Sequence, residues 1–141
     1  MKKIIIYTDG GSRNNPGIAG AGAVIKNAEG KTIKEITKPL GIKTNNWAEY
    51  EAVIMGLEEA KKMFGKKLVD MEIEVRMDSE LVARQLSGKY QIKEETLFPQ
   101  FIKIWNTRVK YISNIKFVHI RREENKEADK LANDAMDKQQ V

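Results

Sequence analysis

The sequence predicts an α/β fold: a mixed sheet of five strands covered by helices on both faces. Three observations predict it. Three β-type runs at the start of the chain are separated only by short turns, as in an antiparallel meander. Two later β-type runs alternate with segments of helical periodicity, which implies helices packed on a sheet. The first and fourth runs both end at an aspartate, and if those strands are parallel neighbours the two carboxylates emerge at one sheet edge, where open α/β sheets place their sites.

The first strand is Ile4–Ser12, opened by three β-branched isoleucines that suit a strand buried on both faces. It reaches Asp9 and stops at Gly10 and Gly11, before the turn Arg13-Asn14-Asn15-Pro16-Gly17. A carboxylate there needs water, a cation or a donor to meet it, and an ordinary Asp-Gly turn is the plain alternative. Ala19–Lys26 is the second strand, its start made of small residues that admit a close neighbour. After the turn Asn27–Gly30 the third strand covers Lys31–Lys38.

Thr44-Asn45-Asn46 are cap-type residues opening a helix that ends near Phe64-Gly65, with Trp47, Tyr50, Ile54 and Leu57 as its buried stripe. Val69–Met77 is the alternating fourth strand, ending at Asp78. Ser79 caps a short helix, Glu80–Leu86. A longer helix runs from about Glu94 to Tyr111, with Leu97, Phe101, Ile104, Trp105 and Val109 on its apolar stripe, so that Trp47 and Trp105 are expected in the core. Asn114–Arg121 is the fifth strand, and the last helix spans about Asn125–Lys138; the tail Asp137–Val141 is expected to fray.

At 141 residues the chain fits one domain, 1–141, long enough to bury a substantial core. A net charge of +5 favours polyanionic partners without specifying one. No apolar run approaches the roughly 20 residues of a membrane helix, and Asp9 interrupts the apolar start too early for a signal peptide. With no cysteine there are no disulfides, thiolate metal sites or cysteine nucleophiles, which fits a cytoplasmic protein. Dinucleotide and P-loop fingerprints are missing, which weighs against a small-molecule enzyme.

Four acids occupy telling places: Asp9 and Asp78 at strand ends, Glu49 in the first turn of the first long helix, and Asp129 early in the last helix, between Ala128 and Ala132. Glu49 at a helix start is also explained by the helix dipole alone. Carboxylates brought together raise one another's pKa values, and divalent cations relieve the repulsion. Hard oxygen ligands select Mg²⁺ or Mn²⁺. Two such ions about 3.5–4 Å apart activate a water and stabilise a leaving oxygen, so metal-assisted phosphodiester hydrolysis is the predicted chemistry.

Four segments, Y-T-D-G-G-S-R-N-N-P-G, T-N-N-W-A-E-Y-E-A, R-M-D-S-E-L-V and R-E-E-N-K-E-A-D-K-L-A, resemble the signature segments of type 1 ribonuclease H, in the right order over nearly the whole chain. The resemblance implies a ribonuclease H-like three-layer α/β/α fold with a five-stranded mixed sheet. It implies that Asp9, Glu49, Asp78 and Asp129 are the catalytic, metal-binding carboxylates. The implied activity is two-metal-ion cleavage of the RNA strand of RNA–DNA hybrids during replication and repair, without sequence specificity, leaving 5′-phosphate and 3′-hydroxyl ends. A monomer is expected.

Hybrid recognition requires a probe for the 2′-hydroxyl. The candidates are the backbone amides of Gly10, Gly11 and Ser12, the side chains of Asn15 and Asn45, and Gln85 on the short helix; by analogy with the family, Thr44 helps to hold a DNA-strand phosphate. Asn15 also reads as a turn residue and Asn45 as a cap. Many bacterial relatives carry a basic helix and loop after the short helix, and Ser87–Glu95 is too short for it. Many also carry a histidine in the loop before the last helix, whereas His119 falls in a strand and reads as structural; Arg122 or Glu123 would serve in its place as phosphate contact or proton acceptor. These departures resemble the archaeal-type branch, some of which also cut double-stranded RNA. Rival readings are a non-catalytic hybrid-binding module and a DNA-junction resolvase of the same fold.

Overall fold

The computed structural model of the protein describes residues 2–139. Five strands, β1 (Lys3–Ser12), β2 (Gly17–Asn27), β3 (Thr32–Lys43), β4 (Glu72–Met77) and β5 (Asn114–His119), form one sheet in the order β3-β2-β1-β4-β5. β1, β2 and β3 pair antiparallel, and β4 joins β1 and then β5 in parallel. Among the described residues four helices complete it: α1 (Asn45–Phe64), α2 (Glu80–Leu86), α3 (Phe98–Tyr111) and α4 (Lys126–Asp137). The expected three-layer α/β/α arrangement around a mixed sheet is what the chain adopts.

The main core lies between the sheet and α1, α2 and α3, where Ile4, Ile6, Tyr50, Leu57, Ile73 and Val75 are fully or almost fully buried. On the other side α4 lies against β1, β2 and β3. It comes so close that a Cβ on Gly22 would stand 2.5 Å from the Ala128 carbonyl oxygen, so only glycine fits there. The same closeness explains Ala128, Ala132 and Ala135 on the inner side of α4.

Some elements depart from expectation for tertiary reasons. β3 continues through Pro39 to Lys43, because it is the edge strand and an edge position tolerates a missing N–H. Val69 and Asp70 belong to a 3-10 turn, Gly65–Asp70, and β4 begins only at Glu72. α3 starts at Phe98, after a 3-10 turn at Glu95–Leu97, with Pro99 in its first turn where the missing N–H costs least. Trp105 is not in the core: it is 50% exposed, stacked on Phe101 with the Arg108 guanidinium over its ring, and Val109 is 69% exposed. Trp47 is half-buried against the core under Lys43, and α1 is buried on a much wider face than one stripe. The tail is anchored as far as it is described: Asp137 pairs with Arg13 at 2.9 Å, and Gln139 bonds Ala19 and Gly41 backbone; Gln140 and Val141 lie outside the described residues. No helix among the described residues is long and apolar enough to cross a membrane.

Candidate active site

β4 ends at Met77, opposite Thr8, while β1 continues to Ser12 paired with β2 alone. Asp9 therefore lies within β1, one residue past the point where its parallel neighbour stops, and Asp78 leaves β4 at the same level. This notch in the sheet edge is where the helices deliver their acids. Asp9 pairs with Gly22 across β1 and β2, and α4 rests on Gly22 through Ala128 and Ala132, which brings Asp129 to Asp9. From the other face α1 meets β1 backbone to backbone, since a Cβ on Gly10 would stand 2.2 Å from the Ala48 carbonyl oxygen and 2.6 Å from the Glu49 nitrogen. Glu49 sits one turn inside α1 and no acid occupies the first turn, so the helix dipole does not account for it.

Oxygen atoms of Asp9, Glu49 and Asp78 lie within 4.8 Å of one another. Asp9 and Glu49 are 7% and 8% exposed. Burial, then the charge of Asp78, then the hydrogen bond and charge of Asp129 raise the Asp9 carboxyl to about 8. Burial, followed by Asp9 and Asp78, holds Glu49 well above the usual carboxylate range, against a lowering hydrogen bond from the Gly10 amide. One Glu49 oxygen, Oε2, is buried without a hydrogen-bond partner. Asn125, fully buried ahead of α4, fixes the notch by donating to the Thr8 carbonyl at 2.9 Å and to Asp78 Oδ2 at 3.3 Å.

All four expected carboxylates line one cavity of about 470 Å³, with Gly10, Gly11, Ser12, Asn45 and Arg122 in its wall. Two of the three expected backbone probes are engaged inside the protein, however: the Gly10 amide serves Glu49, and the Ser12 amide donates to Asn45 Oδ1 at 2.8 Å. Asn15 and Thr44 lie outside the cavity lining and hold the start of α1, accepting from the Asn45 amide at 3.0 Å and the Trp47 amide at 3.2 Å. Gln85 is on the inward side of α2; its carbonyl accepts from the Tyr50 hydroxyl at 2.7 Å, its amide donates to the Gln91 carbonyl at 3.4 Å, and it lines a neighbouring cavity. Glu123 also faces elsewhere, beside Tyr7 and Lys26, whereas Arg122 reaches the carboxylates' cavity. His119 is the last residue of β5, with Nδ1 3.8 Å from Glu80, outside that cavity.

Sequence reasoning missed Asn46, Asn125 and Asn133. Asn133 is one helical turn after Asp129, a spacing that puts both on one face, and its side chain donates to the Asp129 carbonyl at 3.0 Å. Asn125 stands where a helix opens after a strand, a place that also reads as a mere cap.

A family profile described as reverse transcriptase-like matches residues 7–135, a span that contains all four acids. LC11-RNase H1, isolated from compost by a metagenomic approach, has a structure 55% identical to this chain with a TM-score of 0.94, covering 100% of both chains. A second structure, of that protein in complex with RNA/DNA hybrid, matches at 54% identity and TM-score 0.94 over 98% of this chain and 99% of the other. The bifunctional protein Rv2228c of Mycobacterium tuberculosis is 40% identical over 136 residues, 96% of this chain, which spans only 36% of that protein's length. Ribonuclease HI of the archaeon Halobacterium salinarum is 36% identical over 96% of this chain and 65% of its own. The profile match runs over most of the chain and solved RNase H1 structures superpose on it over essentially their whole length, so the chain belongs to the ribonuclease H family.

Proposed function

We propose that this chain hydrolyses the RNA strand of RNA–DNA hybrids, using divalent cations held by Asp9, Glu49, Asp78 and Asp129. The observation that carries the reading is the desolvated acid cluster: oxygens of three carboxylates within 4.8 Å, one of them buried with no donor to meet it. A protein that only binds a polyanion gains nothing from concentrated negative charge at the contact. The donor set is all oxygen, which fits hard divalent cations and excludes a preference for soft ones.

Two Mg²⁺ ions, or Mn²⁺ in their place, supply charge neutralisation, phosphoryl polarisation and a water of lowered pKa when bound there. The chain's own contribution is placement. Asp9 and Asp78 are fixed by the β1–β4 register, Glu49 by the contact of α1 with Gly10, and Asp129 by the contact of α4 with Gly22. Arg122, in the cavity wall, suits a phosphate oxygen, since guanidinium binds phosphate through paired N–H groups. The Asn45 amide, its oxygen held by Ser12, presents N–H donors to the substrate. Water attacks phosphorus and gives up a proton, the P–O3′ bond breaks and the leaving O3′ takes up a proton from solvent, and the products carry 5′-phosphate and 3′-hydroxyl ends. LC11-RNase H1 in complex with RNA/DNA hybrid supports the choice of substrate.

The test is cleavage of one labelled strand in matched RNA–DNA, RNA–RNA and DNA–DNA duplexes with Mg²⁺, Mn²⁺ or chelator, beside Asp9→Asn. Metal-dependent cutting of RNA in the hybrid, lost in the variant, is expected. Equal cutting of the RNA–RNA duplex would extend the substrate to double-stranded RNA. Binding of the hybrid without any cleavage would refute the proposal and leave a recognition module.

A further inference from the structure

The segment joining α2 to α3 is short, yet it reaches back to the site through one residue. Glu94 accepts a hydrogen bond from Asn46 Nδ2 at 2.7 Å, and Asn46 lines the carboxylate cavity. The direction of this bond is set by chemistry, since a carboxylate only accepts and must face the amide nitrogen. Asn45, next in the chain, is held in the opposite sense: the Ser12 backbone N–H only donates, so it must face Asn45 Oδ1. Two adjacent asparagines at the start of α1 are thus locked in opposite orientations. Asn45 keeps its N–H donors open, and Asn46 keeps its carbonyl oxygen open.

A ribose 2′-hydroxyl donates one hydrogen bond and accepts others, whereas the deoxyribose carbon at that place does neither. A donor and an acceptor held in the wall of one cavity match it. Either asparagine free to turn its amide would present both groups in alternation and match it less well.

Resting on the hybrid-cleavage reading above, we propose that Glu94 is a positioning residue that holds the Asn46 carbonyl toward the substrate and so sharpens the preference for a ribose over a deoxyribose sugar. Glu94 is itself secured. Its backbone carbonyl accepts from the Leu97 amide at 3.0 Å, and nearby the Tyr50 hydroxyl of α1 donates to Gln85 of α2 at 2.7 Å. Gln85 in turn donates to the Gln91 carbonyl, so the segment before Glu94 is tied at Gln91 to α2 and, through Gln85, to Tyr50 of α1. Lys89 and Lys93 border the same neighbouring cavity as Glu94 without replacing its bond to Asn46.

The experiment compares wild type, Glu94→Leu, Glu94→Gln, Asn46→Ala and the Glu94→Leu/Asn46→Ala double variant on all-ribose hybrids and on hybrids with one 2′-deoxy sugar placed in turn near the cut. In wild type one deoxy position raises KM; Glu94→Leu reduces that penalty by on the order of three- to tenfold, the range of one hydrogen bond, with kcat on the all-ribose hybrid within about twofold. Glu94→Gln restores most of the discrimination, because its carbonyl oxygen still accepts from Asn46. Asn46→Ala loses the penalty at the same position, and adding Glu94→Leu changes nothing more, as expected of residues acting as one unit. The proposal is overturned if Glu94→Leu or Asn46→Ala keeps the wild-type deoxy penalty, or if the two losses add in full. A wild-type protein that cuts no hybrid overturns the underlying reading instead, so the two failures are told apart.

Discussion

Replacing Asp9 with asparagine should stabilise the metal-free protein while abolishing catalysis. The side chain keeps its size and a donor for Asp129, and loses only the capacity for charge. Asp9 titrates near 8 in the folded state against an ordinary value of 3.8. A carboxyl with a raised folded value binds its proton more tightly in the native state, so its presence costs nothing below about pH 3.8, and stability then falls as pH rises toward 8. About three pH units of that interval lie below pH 7, equivalent to about 4 kcal/mol at 1.36 kcal/mol per unit. Glu49, raised chiefly by burial and then by Asp9, acts in the same direction. In urea unfolding with chelator at pH 7–8, Asp9→Asn is expected to exceed wild type by about 2–4 kcal/mol, roughly 6–15 °C in Tm. The advantage should vanish near pH 4. Mg²⁺ should narrow it by stabilising the wild type alone, through binding to the native state. A variant no more stable than wild type at pH 8 in chelator, or one with the same advantage at pH 4, would refute the account of the cluster as mutually repelling desolvated acids.

Three other substitutions probe the frame around the site. Gly10→Ala forces α1 away from β1, because the new Cβ would stand 2.2 Å from the Ala48 carbonyl oxygen; about 1–3 kcal/mol of stability and on the order of 100-fold in turnover should be lost, read by denaturation and by cleavage rate. Gln100→Leu removes the 2.9 Å donor to Glu51, a buried acid left with Lys38 alone, and should cost about 1.5–3 kcal/mol in urea unfolding with turnover unchanged at permissive temperature. Trp105→Gln should cost no more than about 1 kcal/mol, since the ring is half-exposed and held by Phe101 and the Arg108 guanidinium at the surface; a loss of several kcal/mol would restore Trp105 to the core.

The parts of the fold that were legible in the sequence are those written in local chemistry. Isoleucines 4–6, the alternation before Met77, and the Thr44 and Ser79 caps each specify their own element, and they fall where expected. That four acids share one cavity was partly legible, since Asp78 after β4 and Asp129 early in α4 follow from local signals, whereas Asp9 lies within β1 and Glu49 one turn inside α1. Edge status is not local: Pro39 looks like the end of a strand until β3 proves to have a neighbour on one side only. Burial at helical spacing is likewise ambiguous when both sides of α3 carry apolar residues. Leu97, just before α3, and Ile104 are buried in the main core, where this part of the chain packs on α1, while Trp105 and Val109 meet water. Gln85 and Ser12 show the same limit for function, because polar groups suited to a substrate are taken by Tyr50 and Asn45, partners 35 and 33 residues away.

The glycines of the site explain why the acids converge at all. Carboxylates do not approach one another unaided, and nothing in the four separate elements favours it. The large apolar contact between α1, α2, α3 and the sheet, together with the close fit of α4, fixes the helices independently of the acids they carry. Gly10 and Gly22 then set how near those helices come, one from each face of the sheet, at adjacent positions of the β1–β2 ladder. Packing energy gathered far from the notch therefore holds the charges together against their repulsion. On this account the acids are a local liability of a fold that is stable without them, which is why neutralising one should strengthen the metal-free protein whereas enlarging either glycine should loosen it.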